Sequence, residues 1–196
     1  MARPRSVSKE DSLELALQLF WERGYDLTSI ADLSAAIGVG PSSLYNSFGS
    51  KENLFRLAIE RYLSTHAAPT LGRLDDKDAG TAVEYARGLL REAAKLYTSK
   101  GFPRGCAMFE GAGSGPPEQS PACAMTHAIK RDLNKTIRKR LDAYSRSGEM
   151  LSASSKVLAA FLLGSMRGLS QLACDGANRT ELMGVADHAA QSLTGP

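Results

Sequence analysis

An all-α fold follows from three features of this 196-residue sequence. Apolar residues recur at three- and four-residue spacing through every long stretch free of proline. No alternating apolar and polar pattern of the kind a half-buried strand needs survives anywhere. Serine and threonine starts, with glycine and proline stops, punctuate the periodic stretches as helix boundaries do. With 43% hydrophobic residues, the chain can bury a sizeable core and is long enough for one large or two small domains.

In chain order, Ser8 and Asp11 stand at capping-box spacing, and Leu13, Ala16, Leu17 and Phe20 share one helical face. This predicts a first helix over 9–22, closed by Gly24. Tyr25, Asp26 and Leu27 lead to Thr28, whose hydroxyl is expected to cap a second helix. In the stretch 28–51, TSIADLSAAIGVGPSSLYNSFGSK, the side chains of Ile30, Leu33, Ile37, Val39, Leu44 and Phe48 predict the buried faces of two short helices. Gly38 supplies the reversal between them, because the residue after a helix often takes a positive φ that only glycine adopts without steric cost. Pro41 suits a first helical position, where its missing N–H would have had no intrahelical partner. Ser50 is expected to cap a longer helix that turns Leu54, Phe55, Ala58, Ile59 and Tyr62 inward and ends near Thr65.

Residues 67–80, with Pro69, Gly72, Asp75, Asp76 and Asp78, read as a joint. A helix over 81–99 then buries Val83, Ala86, Leu89, Leu90, Ala93, Ala94 and Tyr97, and Gly101, Pro103 and Gly105 break it. One or two helical turns over 106–110 precede the loop GAGSGPPEQSP. Ser120 and Pro121 open a helix to about 145, and helices over 154–174 and 179–193 close the chain. The division expected is a helix-turn-helix domain over 1–50, a linking helix over 51–65, and a helical domain over 66–196.

Composition narrows the function. The net charge is only +3, and residues 1–66 carry seven Lys and Arg against eight Asp and Glu, so a DNA-binding face there must gather its positive groups on one edge. Cys106, Cys123 and Cys174 cannot all pair within the chain, and no Cys or His spacing resembles a zinc site. The basic N-terminus has no apolar core behind it, and no window approaches the ~20 apolar residues of a membrane span. A cytoplasmic protein without metal or cofactor is expected. An enzyme is disfavoured: there is no Gly-x-Ser-x-Gly elbow and no His-x-x-x-His pair, GAGSGP lacks the third glycine and the preceding strand of a dinucleotide loop, and His66, His127 and His188 lie far apart.

The second short helix leaves Ser42, Ser43, Tyr45, Asn46 and Ser47 outward, followed by Lys51, and these groups can donate to phosphates and touch base edges. The segment TSIADLSAAIGVGPSSLYNSFGSKENLFRLAIERYL, with Leu44, Tyr45, Phe48 and Lys51 in register and Phe20, Gly24 and Tyr25 ahead of them, resembles the DNA-binding domain of the TetR/AcrR family of bacterial transcriptional regulators. The match covers about residues 8–65; the rest is similar only in shape. The resemblance implies a homodimer, an effector pocket in the C-terminal domain, and repression of an operator on double-stranded DNA that a small molecule releases. Gly40 and Pro41 occupy the front of the reading helix, where members often offer a polar side chain, so readout leans on fewer groups. Asn46 is assigned to a base, Tyr45 and Lys51 to phosphates, and Thr28 and Ser29 to placing the amino end of the preceding helix on the backbone. The serines contact either bases or phosphates.

Further along, Cys106 has Arg104 close by and a helix start, the setting of a reactive thiol that senses electrophiles or oxidants, while a small apolar filler explains it as well. Met108, Phe109, Glu110, Met125 and His127 join Cys106 as effector-pocket candidates, with Trp21 and Tyr62 behind them, and core packing explains the apolar ones equally well. The cationic run 130–140 reads as a solvated face. Leu158, Phe161, Leu162, Ser165, Leu169 and Leu172, then Leu182, Val185 and Ala189, with small residues between them, suit close packing of a partner helix; folding back on the same chain explains them as well, and the resemblance implies a four-helix dimer contact between two copies. The rival to the regulator is an all-helical interaction module that no longer binds DNA.

Overall fold

In the computed structural model, which describes residues 7–112 and 115–194, ten helices and two short 3₁₀ turns are present and no strand occurs among the described residues. The helices are α1 (Lys9–Arg23), α2 (Ile30–Ile37), α3 (Pro41–Phe48), α4 (Lys51–Ser64), α5 (Ala68–Gly72), α6 (Ala82–Tyr97), α7 (Ala107–Glu110), α8 (Pro121–Arg146), α9 (Ser155–Cys174) and α10 (Arg179–Gln191). They fall into two compact units, one of residues 1–65 and 107–126, the other of 66–106 and 127–196. The segment 107–126 thus packs with the N-terminal helices, although the sequence groups it with the C-terminal ones.

In the first unit α1 packs against α4, α2 and α7. Phe20 is fully buried and meets Phe55 edge-on at 5.1 Å between ring centroids, Tyr25 meets the same ring at 5.1 Å, and Trp21 meets Tyr62 at 5.1 Å. Each such side chain stabilises the fold by roughly 1.5–3 kcal/mol through burial, and edge-to-face pairing adds to it. Glu14 of α1 accepts from Arg61 Nε of α4 at 2.7 Å. The later segment is tied in by backbone: the Tyr25 N–H donates to the Gly111 carbonyl at 2.7 Å, and Cys123 Sγ donates to the Ala112 carbonyl at 2.9 Å.

In the second unit α6 is the centre, with Tyr85, Leu89, Leu90, Ala93, Ala94 and Tyr97 buried and α10, α9 and α5 packed on it. Thr81 and Glu84 form a capping box at its start, and both carboxylate oxygens of Glu149 accept from the Ala82 N–H, at 2.9 and 3.1 Å. Arg91 holds Asp187 of α10 through two parallel bonds of 2.7 and 2.6 Å, the fork geometry that makes Arg–carboxylate pairs strong. The stretch expected as a joint is partly ordered: α5 and a 3₁₀ turn over Arg73–Asp75 bury Thr70 and Leu74, Pro69 standing where an early helical position tolerates it. An eighteen-residue window of the twenty-residue α9 reaches a mean hydropathy of 1.4, enough by length and composition alone to cross a membrane, which corrects the expectation that no stretch does. In this unit one side of α9 packs on α6 and α10.

Candidate nucleic-acid interface

The pair α2 and α3 is built as the spacing predicts, with one shift of register. Ser29, not Thr28, is the N-cap of α2: its Oγ accepts from the Asp32 N–H at 3.1 Å, and the Asp32 carboxylate accepts from the Ser29 N–H at 2.9 Å. The hydrogen bond that the Ser29 hydroxyl donates to the Asp32 carboxylate at 2.5 Å, then the one from the Ser29 N–H, and then the charge of Arg23 at 3.6 Å, hold the Asp32 carboxyl below the usual carboxylate range. Thr28 is fully buried and donates from Oγ1 to the Gly24 carbonyl at 2.6 Å, so its side chain neither caps α2 nor faces a phosphate. A hydroxyl one place earlier looks the same to a local pattern; the Ser29–Asp32 spacing was the signal for the true cap.

Gly38 sits at φ 77°, ψ 29°, and its N–H and that of Val39 both donate to the Ser34 carbonyl, at 2.9 and 3.1 Å. That closes α2 and turns the chain into α3. Leu44 and Phe48 point into the core, while Gly40, Pro41, Ser42, Ser43, Tyr45, Asn46 and Ser47 are all exposed. Tyr45 is 48% exposed. The far end of α3 is fixed by Asn53, whose Nδ2 donates to the Phe48 carbonyl at 2.8 Å, and Ser50 caps α4 by accepting from the Asn53 N–H at 3.1 Å. The outcome is a short helix that starts at Pro41 directly after the Gly38 turn, is held at its far end by Asn53, and turns one continuous polar face to solvent.

Lys51 has a second task that the sequence did not reveal. Its Nζ donates to the carbonyls of Tyr25, at 3.0 Å, and Thr28, at 3.1 Å, and lies 4.1 Å from the Tyr25 ring centroid. Burial, then the charges of Glu52 and Asp26, push the Tyr25 phenol above its ordinary value, so the ring meets the ammonium as a neutral π face. The lysine therefore fastens the start of α4 to the loop ahead of α2. Two other side chains escaped the sequence analysis. Lys9 holds its ammonium 6.0 Å from the Phe48 ring, and Leu27 stands 82% exposed in the loop before α2. Only the tertiary packing of α1 brings Lys9 there, so no local signal announces it.

The other candidate residues separate. Cys106 is 3% exposed and its N–H donates to Ser170 Oγ at 2.8 Å, whereas Cys174 is the exposed thiol. Phe109 is buried, Glu110 is half-buried, Met125 lines a recess with Asn53, Phe55 and Arg56, and His127 lines a different one with Lys130 and Arg167. In α9 and α10, Leu158, Leu162, Leu169 and Leu182 are buried in the core of their own unit, which corrects their place in the expected dimer contact. Phe161, Leu172 and Val185 are exposed, at 39%, 39% and 44%, with Ser165 and Ala189 half-buried beside them and Val157, 56% exposed, extending the same stripe.

Comparison with known proteins places these features in company. The family model described as "Bacterial regulatory proteins, tetR family" matches residues 13–58. The HTH-type transcriptional repressor BdcR of Escherichia coli K12 is 30% identical over 193 residues, 97% of this chain and 91% of that protein. The repressor ComR of the same organism is 30% identical over 188 residues, 94% and 88% of the two chains. A solved structure of a cysteine mutant of the TetR family transcriptional regulator CifR, complexed with 26-bp double-strand operator DNA, superposes with a TM-score of 0.85 at 33% identity, covering 98% of this chain and 100% of that one.

Proposed function

Since the chain belongs to the TetR family of bacterial regulatory proteins, we propose that it is a homodimeric transcriptional repressor, held on a near-palindromic operator until a small molecule binds its second unit. The observation that carries the reading is the exposed face of α3, five polar side chains over Ser42, Ser43, Tyr45, Asn46 and Ser47 on a helix whose far end Asn53 holds. Each copy lays this face in a major groove, with half-sites about one helical turn or more apart. Asn46 pairs with a base, Tyr45 and the third proton of the Lys51 ammonium reach phosphates, and Ser42, Ser43 and Ser47 serve either. Pro41 and Gly40 bring the backbone at the helix start close to the duplex, and the α2 start at Ser29 presents backbone N–H groups to a phosphate.

The 1–50 domain reads DNA, and the helices beyond residue 65 hold the effector and the second copy. No catalysis, metal or cofactor enters this reading, and it places the protein in the cytoplasm. Release follows when the effector favours a dimer geometry whose reading helices no longer match the operator spacing, which requires unequal affinity for the two states. The test is fluorescence anisotropy on the DNA flanking the protein's own coding region, titrated with salt and with unrelated competitor DNA. A site bound far above competitor, with a symmetric footprint, is expected. Equal and weak affinity for every sequence would return the protein to the class of helical interaction modules.

A further inference from the structure

The cationic run of α8 is not used by the regulator reading, and part of this solvated face borders a recess. Lys130, Arg131, Asn134 and Lys135 line a concavity of about 460 Å³ whose opposite wall is Leu163 and Arg167 of α9. The α8 positions recur at three- and four-residue spacing, so they share one side of that helix. Four cations face one space, and no carboxylate is among its described lining residues. Asp132 stands 3.0 Å from Lys135, and both members of that pair are about three-quarters exposed, so water and salt screen their attraction.

A concave space lined by one sign of charge concentrates counter-ions far more than the same charges on a convex surface. Its size lies in the range of small-molecule sites. Lys130 and Lys135 are five residues apart, about 7.5 Å of helix rise, so an ion with one charged group meets one end only, while two linked charged groups meet both. The two guanidinium forks approach from different helices, and such forks match phosphate oxygens in pairs. Leu163 and the aliphatic stems give the wall an apolar patch for the remainder of a ligand.

We propose that this groove binds a small organic polyanion carrying two or more phosphate groups, with a diphosphate ester as the class it fits. This names a ligand class for the unit already read as effector-binding, and it rests on that reading only for the link to operator release. The measurement is isothermal titration of the full chain, without DNA and at low ionic strength, using inorganic pyrophosphate, orthophosphate and citrate as probes. Pyrophosphate is expected to bind at least tenfold more tightly than either of the others. Arg167→Glu and Arg131→Glu should each weaken it at least tenfold, whereas Lys139→Glu, which changes the net charge equally on the same helix but does not line the groove, should weaken it less than twofold. The two arginine variants lie on different helices, so one decides the matter if the other does not fold. Silence with pyrophosphate, citrate binding as tightly, or equal losses in all three variants would overturn the proposal. The operator takes no part in the titration, so failure here leaves the DNA reading standing, and failure of the DNA reading leaves this one standing.

Discussion

Thr28 and Lys51 both sit where a backbone contact to DNA is expected, and the fold uses each of them to hold itself together. Thr28 is legible only as a hydroxyl near a helix start; its burial against the Gly24 carbonyl depends on how α1 meets α2. Lys51 is legible as a cation after the reading helix, but its two carbonyl acceptors lie 26 and 23 residues back. Removing a charged donor from two part-buried carbonyls costs about 2 kcal/mol, so Lys51→Met should lower stability by that amount in urea denaturation. It should also weaken binding to every duplex. Lys51→Arg should restore only part of either, since a planar fork does not place one nitrogen between both carbonyls. Asn46→Ala should leave stability unchanged and relax preference at one base pair by ~1–3 kcal/mol, read from affinities for operators varied at single positions. Asp32 gives a pH signature. Its folded carboxyl titrates below its unfolded value, so its contribution is complete above the ordinary carboxylate range and disappears as pH falls through the lower folded value. The stability gap between the wild type and Asp32→Asn should therefore be wide near pH 7 and close on acidification; a gap of constant size would show that the cap does not titrate.

At the level of elements, helix periodicity made the interior of each long helix readable, and the misses lie where contacts distant in sequence decide the outcome. The order in α5 and the 3₁₀ turn after it comes from burial of Thr70 and Leu74, which no turn-forming composition betrays. The attachment of 107–126 to the first unit comes from the Tyr25 N–H and the Gly111 carbonyl, 86 residues apart and joined at 2.7 Å. In α9 the difficulty is different, because the helix is apolar on more than one side: Leu158, Leu162 and Leu169 match the helical period as well as Phe161 and Leu172 do, and only the fold tells which set is inside. Gly111 is the position where the 107–126 attachment is most exposed to test. A Cβ there would stand 2.5 Å from the Ala107 carbonyl oxygen and 3.3 Å from that of Phe20, both backbone atoms that cannot swing aside. Gly111→Ala should cost roughly 1–3 kcal/mol, as overpacking does, and broaden the amide spectrum of α1 and α7. No change in melting temperature would show that this segment is only loosely held.

For the molecule as a whole, net charge says little, since +3 is spread over a chain whose first 66 residues are slightly acidic. What one chain lacks is a cover for the α9 and α10 stripe. Val157, Phe161, Leu172 and Val185 expose between 39% and 56% of their surface, and apolar side chains collected on one face mark a site of association. Small residues at Gly164 and Gly168, both exposed on α9, let a second helix approach closely, and a two-fold pairing would place each stripe against its own copy. Because Phe161 is outside the core of its chain, Phe161→Glu should leave the helical content and the melting of the monomer's interior nearly unchanged while putting two like charges into the centre of the contact. Sedimentation should then show a monomer at micromolar concentration. Operator affinity should fall at least a hundredfold, because the second reading helix loses the effective concentration that its tethered partner supplied, while affinity for non-specific DNA per chain should hardly change. A variant that still sediments as a dimer would move the contact away from this stripe, and a monomer that keeps full operator affinity would remove the need for two copies on the DNA.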